Sequence, residues 1–151
     1  MFVGGIRLRS EEEIAKGFTE GIDCAMVTLH EIAGKMGISG EEAYRLAGCF
    51  GIGMMQGSVC GAISAGFIAI GYRYGSTGPD QMDQRGLMIA KREEFLNKFR
   101  KEFGDDITCP GIIKLDLRKG EDMKKAGETG VFSKFCPKLC RRSADIVIGL
   151  L

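Results

Sequence analysis

From Gly48 to Gly61 the chain reads GCFGIGMMQGSVCG, five glycines in fourteen residues, too dense for the interior of any helix. On either side the apolar residues recur at helical spacing. The chain is therefore constrained to be a set of helices interrupted by one loop whose backbone dominates. Ser10 followed by Glu13 forms a capping box, and Ile14, Ala15 and Phe18 give the apolar stripe of a first helix reaching Gly21. Asp23 caps a second helix whose first residue is Cys24, with Ala25, Met26, Leu29, Ile32 and Ala33 apolar and an end near Gly37. Ser39 opens a short third helix with Glu41 and Glu42 in its first turn, where carboxylates suit the helix dipole, and Gly48 closes it.

Past the loop, a fourth helix starts at Cys60 and runs to about Tyr74; its small residues Gly61, Ala62, Ser64, Ala65 and Gly66 suit close packing against neighbours. Leu87, Ala90, Phe95, Leu96, Phe99 and Phe103 trace the apolar side of a long fifth helix that ends at Gly104. Cys109-Pro110 and Cys136-Pro137 then repeat one local pattern. Proline favours the first helical position and pushes the preceding residue out of helical geometry, which places each cysteine at or beside an N-cap. Asp116 to Thr129, charged and punctuated by glycine, reads as a solvated irregular segment with one helical turn at most. Leu139, Ala144, Ile146, Val147 and Leu150 outline a terminal helix. No alternating strand pattern and no linker occur, so the expected fold is all-α, one domain over residues 1–151, a bundle of about six helices with a Gly-rich loop.

A chain of 151 residues can bury a core without disulfide or metal staples, so its six cysteines are expected to serve function more than folding. Glycine, at 23 residues, is about twice the usual ~7%. The net charge of +1 gives no field that would draw nucleic acid or an anionic membrane. The most apolar stretch, Val59 to Tyr72, falls short of the ~20 residues a spanning helix needs. The opening MFVGGIRLRSEEE has no positive start, long apolar run or small-residue cleavage site, so a cytoplasmic location is expected. In that reducing compartment six cysteines mean free thiols, a metal site or a transient redox disulfide.

Four of them, Cys24, Cys60, Cys109 and Cys136, fall at expected helix starts, where the dipole stabilises a thiolate. One such cysteine is ordinarily a small apolar filler; four in the same electrostatic setting are not required by packing. They stand tens of residues apart with no C-x-x-C pair, so any shared site has to be assembled by the fold. Cys49 and Cys140 read as filler, although Cys140, four residues after Cys136, shares its helical face and could also bind a metal or resolve an oxidised Cys136. His30, the only histidine, reads as a surface or satisfied core residue. Gly51-x-Gly53-x-x-x-Gly57 lacks the preceding strand and the lysine of a phosphate loop and reads as close backbone packing near Cys60; Met54 and Met55 read as core filler.

Taken in order, Asp23-Cys24-Ala25, Cys49 to Gly53 (CFGIG), Gly57-Ser58-Val59-Cys60-Gly61-Ala62, Cys109 and Cys136-Pro137-Lys138 resemble the C_GCAxxG_C_C family of redox-active proteins. The agreement extends to Ile70-Gly71-Tyr72-Arg73-Tyr74-Gly75, to Phe99 through Gly104 and to Gly130-Val131-Phe132, nearly the whole chain from Ser10 onward. The resemblance implies that the family's four cysteines are Cys24, Cys60, Cys109 and Cys136. One departure is Ala65, followed by Gly66, where the family motif has its second glycine. The chain is also similar to part of the split-Soret cytochromes, which implies an iron–sulfur site and electron transfer. No C-x-x-C-H haem motif is present, so only the cysteine half of that likeness applies.

Three functions compete. In the first, the four thiolates Cys24, Cys60, Cys109 and Cys136 hold a metal for electron transfer, an iron–sulfur cluster before zinc. In the second, no metal is present and the chain is a thiol–disulfide oxidoreductase, with Cys136, near Lys138, Arg141 and Arg142, as nucleophile and Cys109 as the other redox cysteine. In the third the cysteines only pack. Any redox partner is unidentified by the sequence, and a glycine-rich close-packing helix in a small helical protein suits a homodimer without fixing its interface.

Overall fold

Short polar side chains set the helix starts. Ser10 and Ser39 each accept the N3 backbone N–H while Glu13 and Glu42 reach back to the cap N–H, two complete capping boxes that open α1 (Glu11–Thr19) and α3 (Gly40–Ala47). Between them Asp23 accepts the Met26 N–H and opens α2 (Cys24–Met36), which Gly37 closes in the left-handed conformation. The remaining helices are α4 (Gly61–Tyr74), α5 (Met82–Phe103), α6 (Cys109–Ile113), α7 (Gly120–Glu128) and α8 (Cys136–Leu150). The computed structural model describes residues 1–151 and is all-α but for one hairpin.

One contiguous core holds it together. α2 lies against α3, α4 and α8, and α5 closes over α4 and α8. Leu29, Ile32, Ile63, Ile70, Phe95, Phe99, Leu139 and Val147 are all essentially solvent-free, each worth roughly 1.5–3 kcal/mol of burial. The small residues of α4 are used inside the chain: Gly66 is where Phe95 and Val147 press on the helix, and a Cβ there would collide with the phenyl ring. Ala65, one residue before Gly66, is itself fully buried.

Four features differ from the sequence reading. Eight helices form where about six were expected. The difference lies in the one-turn α6 and in α7, nine residues within the segment read as irregular, whose only buried side chain is Ala126 and whose amphipathic signal is accordingly weak. On α5 only Phe95, Leu96 and Phe99 are buried; Leu87 is 44% exposed because the first half of the helix runs out beyond the core. At the N-terminus, β1 (Phe2–Val3) and β2 (Ile6–Arg7) pair antiparallel around Gly4 and Gly5, both at positive φ. The Gly-Gly pair between apolar residues is a hairpin signal the helical reading passed over. Gly4 and Gly34 of α2 meet backbone to backbone, so neither has room for a Cβ. Finally, the helical backbone of α8 begins earlier than Cys136, in a wide turn over Val131–Phe135 that closes with the Cys136 N–H on the Val131 carbonyl.

No helix is long and apolar enough to cross a membrane.

Candidate functional site

Cys24, Cys60, Cys109 and Cys136 all line one cavity of about 810 Å³. Four separate pieces of chain deliver them. Cys24 is the first residue of α2, and its sulfur lies over the start of α4, where a Cβ on Gly61 would sit 2.5 Å from Sγ. Gly61 is thus glycine because Cys24 occupies the space a side chain would take. Cys60 and Cys109 are brought together by a two-strand rung. The Cys60 N–H donates to the Ile107 carbonyl at 2.8 Å and the Cys109 N–H to the Ser58 carbonyl at 2.9 Å, with Val59 opposite Thr108 between them. Thr108 in turn caps α6 through its side chain and Pro110 occupies the first turn. Cys136 sits where the wide turn passes into α8, inside continuous helical backbone. Each of the four stands at or beside a helix start as expected, but Cys136, the first residue of α8, is preceded by a wide helical turn and so lacks the free N-terminus of the other three.

The Gly-rich loop supplies more than a connection. Ile52, Gly53, Met54 and Met55 have φ of 54, 61, 59 and 57°, a complete left-handed turn. Such a turn costs non-glycine residues roughly 1–2 kcal/mol each. It places the Ile52 side chain in the cavity wall and its N–H on the Cys24 sulfur. Gly51 bears directly on the Asp23 carboxyl and Gly57 on the Arg118 guanidinium, so these glycines serve close packing, as the sequence suggests.

Helix-terminal N–H groups do reach the sulfurs. Those of Ile52, Ala25 and Gly61 favour the Cys24 thiolate, and those of Ala62 and Ile63 favour that of Cys60. Burial nonetheless outweighs them, and both thiols lie above the ordinary value of 9.0, Cys60 well above. Burial, with the negative charge of Cys24 next in importance, pushes Cys109 up to about 11 and Cys136 up to about 12. The expectation of activated, low-pKa thiolates is thereby reversed: a helix N-terminus contributes a partial charge, whereas each anion is penalised by burial and by neighbouring negative charge, that of Asp23 for Cys24 and of other sulfurs for the rest.

Two of the three cations expected beside Cys136 are engaged elsewhere. Arg141 donates to Glu31 at 2.7 Å and to Asp145, and Arg142 to Glu102 at 2.6 Å. His30 stacks on Tyr44, with Nδ1 3.5 Å from Glu31. Cys49 is exposed, apart from the site. Cys140 was read as filler and is fully buried, yet it adjoins the site from behind: its thiol donates to the Cys24 carbonyl at 3.7 Å, and the charges of Cys24, Cys136 and Cys60 help burial raise its pKa. Its one-turn spacing from Cys136 was the available signal. Asp23 also reaches the cavity, its carboxyl raised above the usual range by burial while it caps α2.

All six cysteines are free thiols. No three His, Cys, Asp or Glu side chains group closely enough to hold a single metal ion. One zinc, which takes its thiolates at about 2.3 Å, would need the sulfurs to converge further. A polynuclear cluster fits the donor set better, because each thiolate binds a different metal atom and the sulfurs stand around the cluster rather than around a point. Such a cluster would be held by Cys24, Cys60, Cys109 and Cys136.

Residues 22–150 match a family model described as "Putative redox-active protein (C_GCAxxG_C_C)". No curated protein and no solved structure matches the chain.

Proposed function

This chain belongs to the C_GCAxxG_C_C family of redox-active proteins, and from that premise we propose that Cys24, Cys60, Cys109 and Cys136 ligate an iron–sulfur cluster that serves electron transfer. The observation that carries this reading is that all four cysteines line one cavity as free thiols, while its two charged liners are engaged elsewhere, Asp23 in capping α2 and Lys16 with Glu20. Buried thiols without counter-charge hold their protons, and a bound metal core supplies the positive charge that lets all four become thiolates. The cluster, when bound, contributes one-electron chemistry. The chain's own part is to bind and orient: the N–H groups of Ile52, Ala25 and Gly61 on Cys24, and of Ala62 and Ile63 on Cys60, stabilise sulfur-borne charge. The apolar walls limit water.

Anaerobic purification followed by iron, zinc and acid-labile sulfide analysis tests the reading. Iron and sulfide in near-equal amount are expected, falling to background in Cys24→Ala and Cys60→Ala and retained in Cys49→Ala. Protein that stays colourless and metal-free after reconstitution with iron and sulfide would sink it.

A second reading is a metal-free thiol–disulfide oxidoreductase working through Cys136 and Cys109. It is favoured by the nearness of these two thiols on one cavity, where the charge of Cys109 bears on Cys136, and by the absence of a single-ion grouping. Two thiols would become one disulfide, releasing two electrons and two protons to an acceptor. Reversible loss of two titratable thiols on mild oxidation, without metal, would select it.

A further inference from the structure

The cavity is much larger than the group just assigned to it. Allowing each atom of an eight-atom cluster core the ~30 Å³ share of a liquid water gives about 240 Å³, under a third of the cavity's 810 Å³. The remainder is walled by Phe18, Ile112, Ile113, Leu117, Met123 and Phe132, and 14 of the 21 lining residues are hydrophobic. Its only charged liners are Asp23, which is occupied in capping α2, and Lys16, which points out to Glu20 at 3.7 Å with most of its side chain in water. Beyond these two engaged groups the wall offers a phosphate, a carboxylate or an ammonium group no counter-charge, only the hydroxyls of Thr19 and Ser133. The α6 wall has no fully buried residue and is held to the rest by the Cys60–Ile107 and Cys109–Ser58 backbone bonds at its start, so Ile112 and Ile113 keep part of their apolar surface unfilled. A concave, apolar space of ~300–1,000 Å³ is the usual form of a small-molecule site.

We propose that the space beside the four sulfurs binds one uncharged, apolar organic molecule of drug-like size, packed between α6, α7 and the start of α8. This rests on the redox reading above and names the substrate class of that centre: a neutral small molecule that enters the cavity. Specificity comes from shape and from the absence of any charge partner. Charged metabolites are excluded by the cost of leaving their charge unpaired in the apolar wall.

Nile red, a neutral apolar dye, is the probe. Anaerobic wild-type protein is expected to bind it saturably, one per chain, with blue-shifted emission, and in the metal-free reduced protein bound dye is expected to slow alkylation of Cys109 by iodoacetamide at least fivefold. Met123→Trp and, independently, Ile113→Trp fill the space and should weaken binding at least tenfold, whereas Met82→Trp, on a side chain 74% exposed and outside the cavity, should not. Non-saturable binding, equal binding by both cavity variants, or unchanged Cys109 alkylation overturns the site. Iron, sulfide and thiol content measured on the same samples separate the two ideas. Protein that gains iron and sulfide but not dye loses the small-molecule site alone, and protein that binds dye as expected but neither loads a cluster nor forms a disulfide loses the redox reading alone.

Discussion

At the thiols of Cys109 and Cys136, burial and neighbouring negative charge act in the same direction, lifting them from 9.0 to about 11 and about 12. Their effect on stability has a definite sign. In the unfolded chain these thiols lose protons as pH passes 9, while the folded chain retains them, so above pH 9 the unfolded state binds fewer protons and falls in free energy relative to the folded one. The stabilising preference for the protonated form is fully present below pH 9 and is lost as pH rises through 11 to 12. For the metal-free reduced protein the urea midpoint should thus decline steeply between pH 9 and 12. A Cys109→Ser/Cys136→Ser variant should decline less, since lysine titration is common to both. Equal slopes would mean that these sulfurs are wetter than the cavity geometry implies.

Among the elements, the left-handed turn Ile52–Met55 carries the clearest local conflict between sequence and conformation. Gly53 belongs there, and its backbone lies so close to Ser58 that no Cβ fits. Ile52, Met54 and Met55 do not belong there by local preference. Tertiary contacts explain Ile52, which walls the cavity and aims its N–H at Cys24; Met55 is 59% exposed and has no such reason. Met55→Gly removes a left-handed penalty of about 1–2 kcal/mol and adds back about 0.5–1 kcal/mol of chain entropy. A gain of up to about 1 kcal/mol by urea denaturation is the expected result, with cluster loading unchanged. The turn was legible as a loop because of its glycines, but its handedness was not, since three of its four residues carry side chains that argue against it.

Across the whole molecule, Glu31 ties three distant pieces of chain together. It is fully buried on α2, where burial pushes its carboxyl up. The neighbouring His30 ring, the hydrogen bond from the Arg9 N–H and the paired Arg141 more than offset this and hold it below the ordinary range. Arg9 leads in from the N-terminal hairpin and Arg141 reaches across from α8, one residue beyond Cys140. Removing Arg141 leaves a buried carboxylate short of its main counter-charge, a change that typically costs about 3–5 kcal/mol. Arg142, its neighbour, pairs with Glu102 at the surface, where the loss is about 1 kcal/mol or less. Thermal and urea unfolding of Arg141→Ala and Arg142→Ala should show that contrast, and similar losses for both would contradict the role given to Glu31.

Local chemistry determined a good part of this protein. Serine and aspartate caps, glycine stops and a 3.6-residue apolar period act over a few neighbouring residues, so α1 to α4, the core half of α5, and α8 could be read from the chain, as could the family through its cysteine pattern. The short α6 and α7 were less legible because so few of their side chains are buried. What the tertiary structure alone decided concerns the site. Cys60 meets Cys109 through a rung between residues 58–60 and 107–109, Cys24 meets Cys60 through a missing side chain at Gly61, and Cys140 joins them from the core. The sign of the thiol pKa shifts belongs here too. Helix-terminal N–H donors are a local property, whereas desolvation and the repulsion among sulfurs exist only once distant segments have closed a common cavity, and in this chain those tertiary effects are the larger.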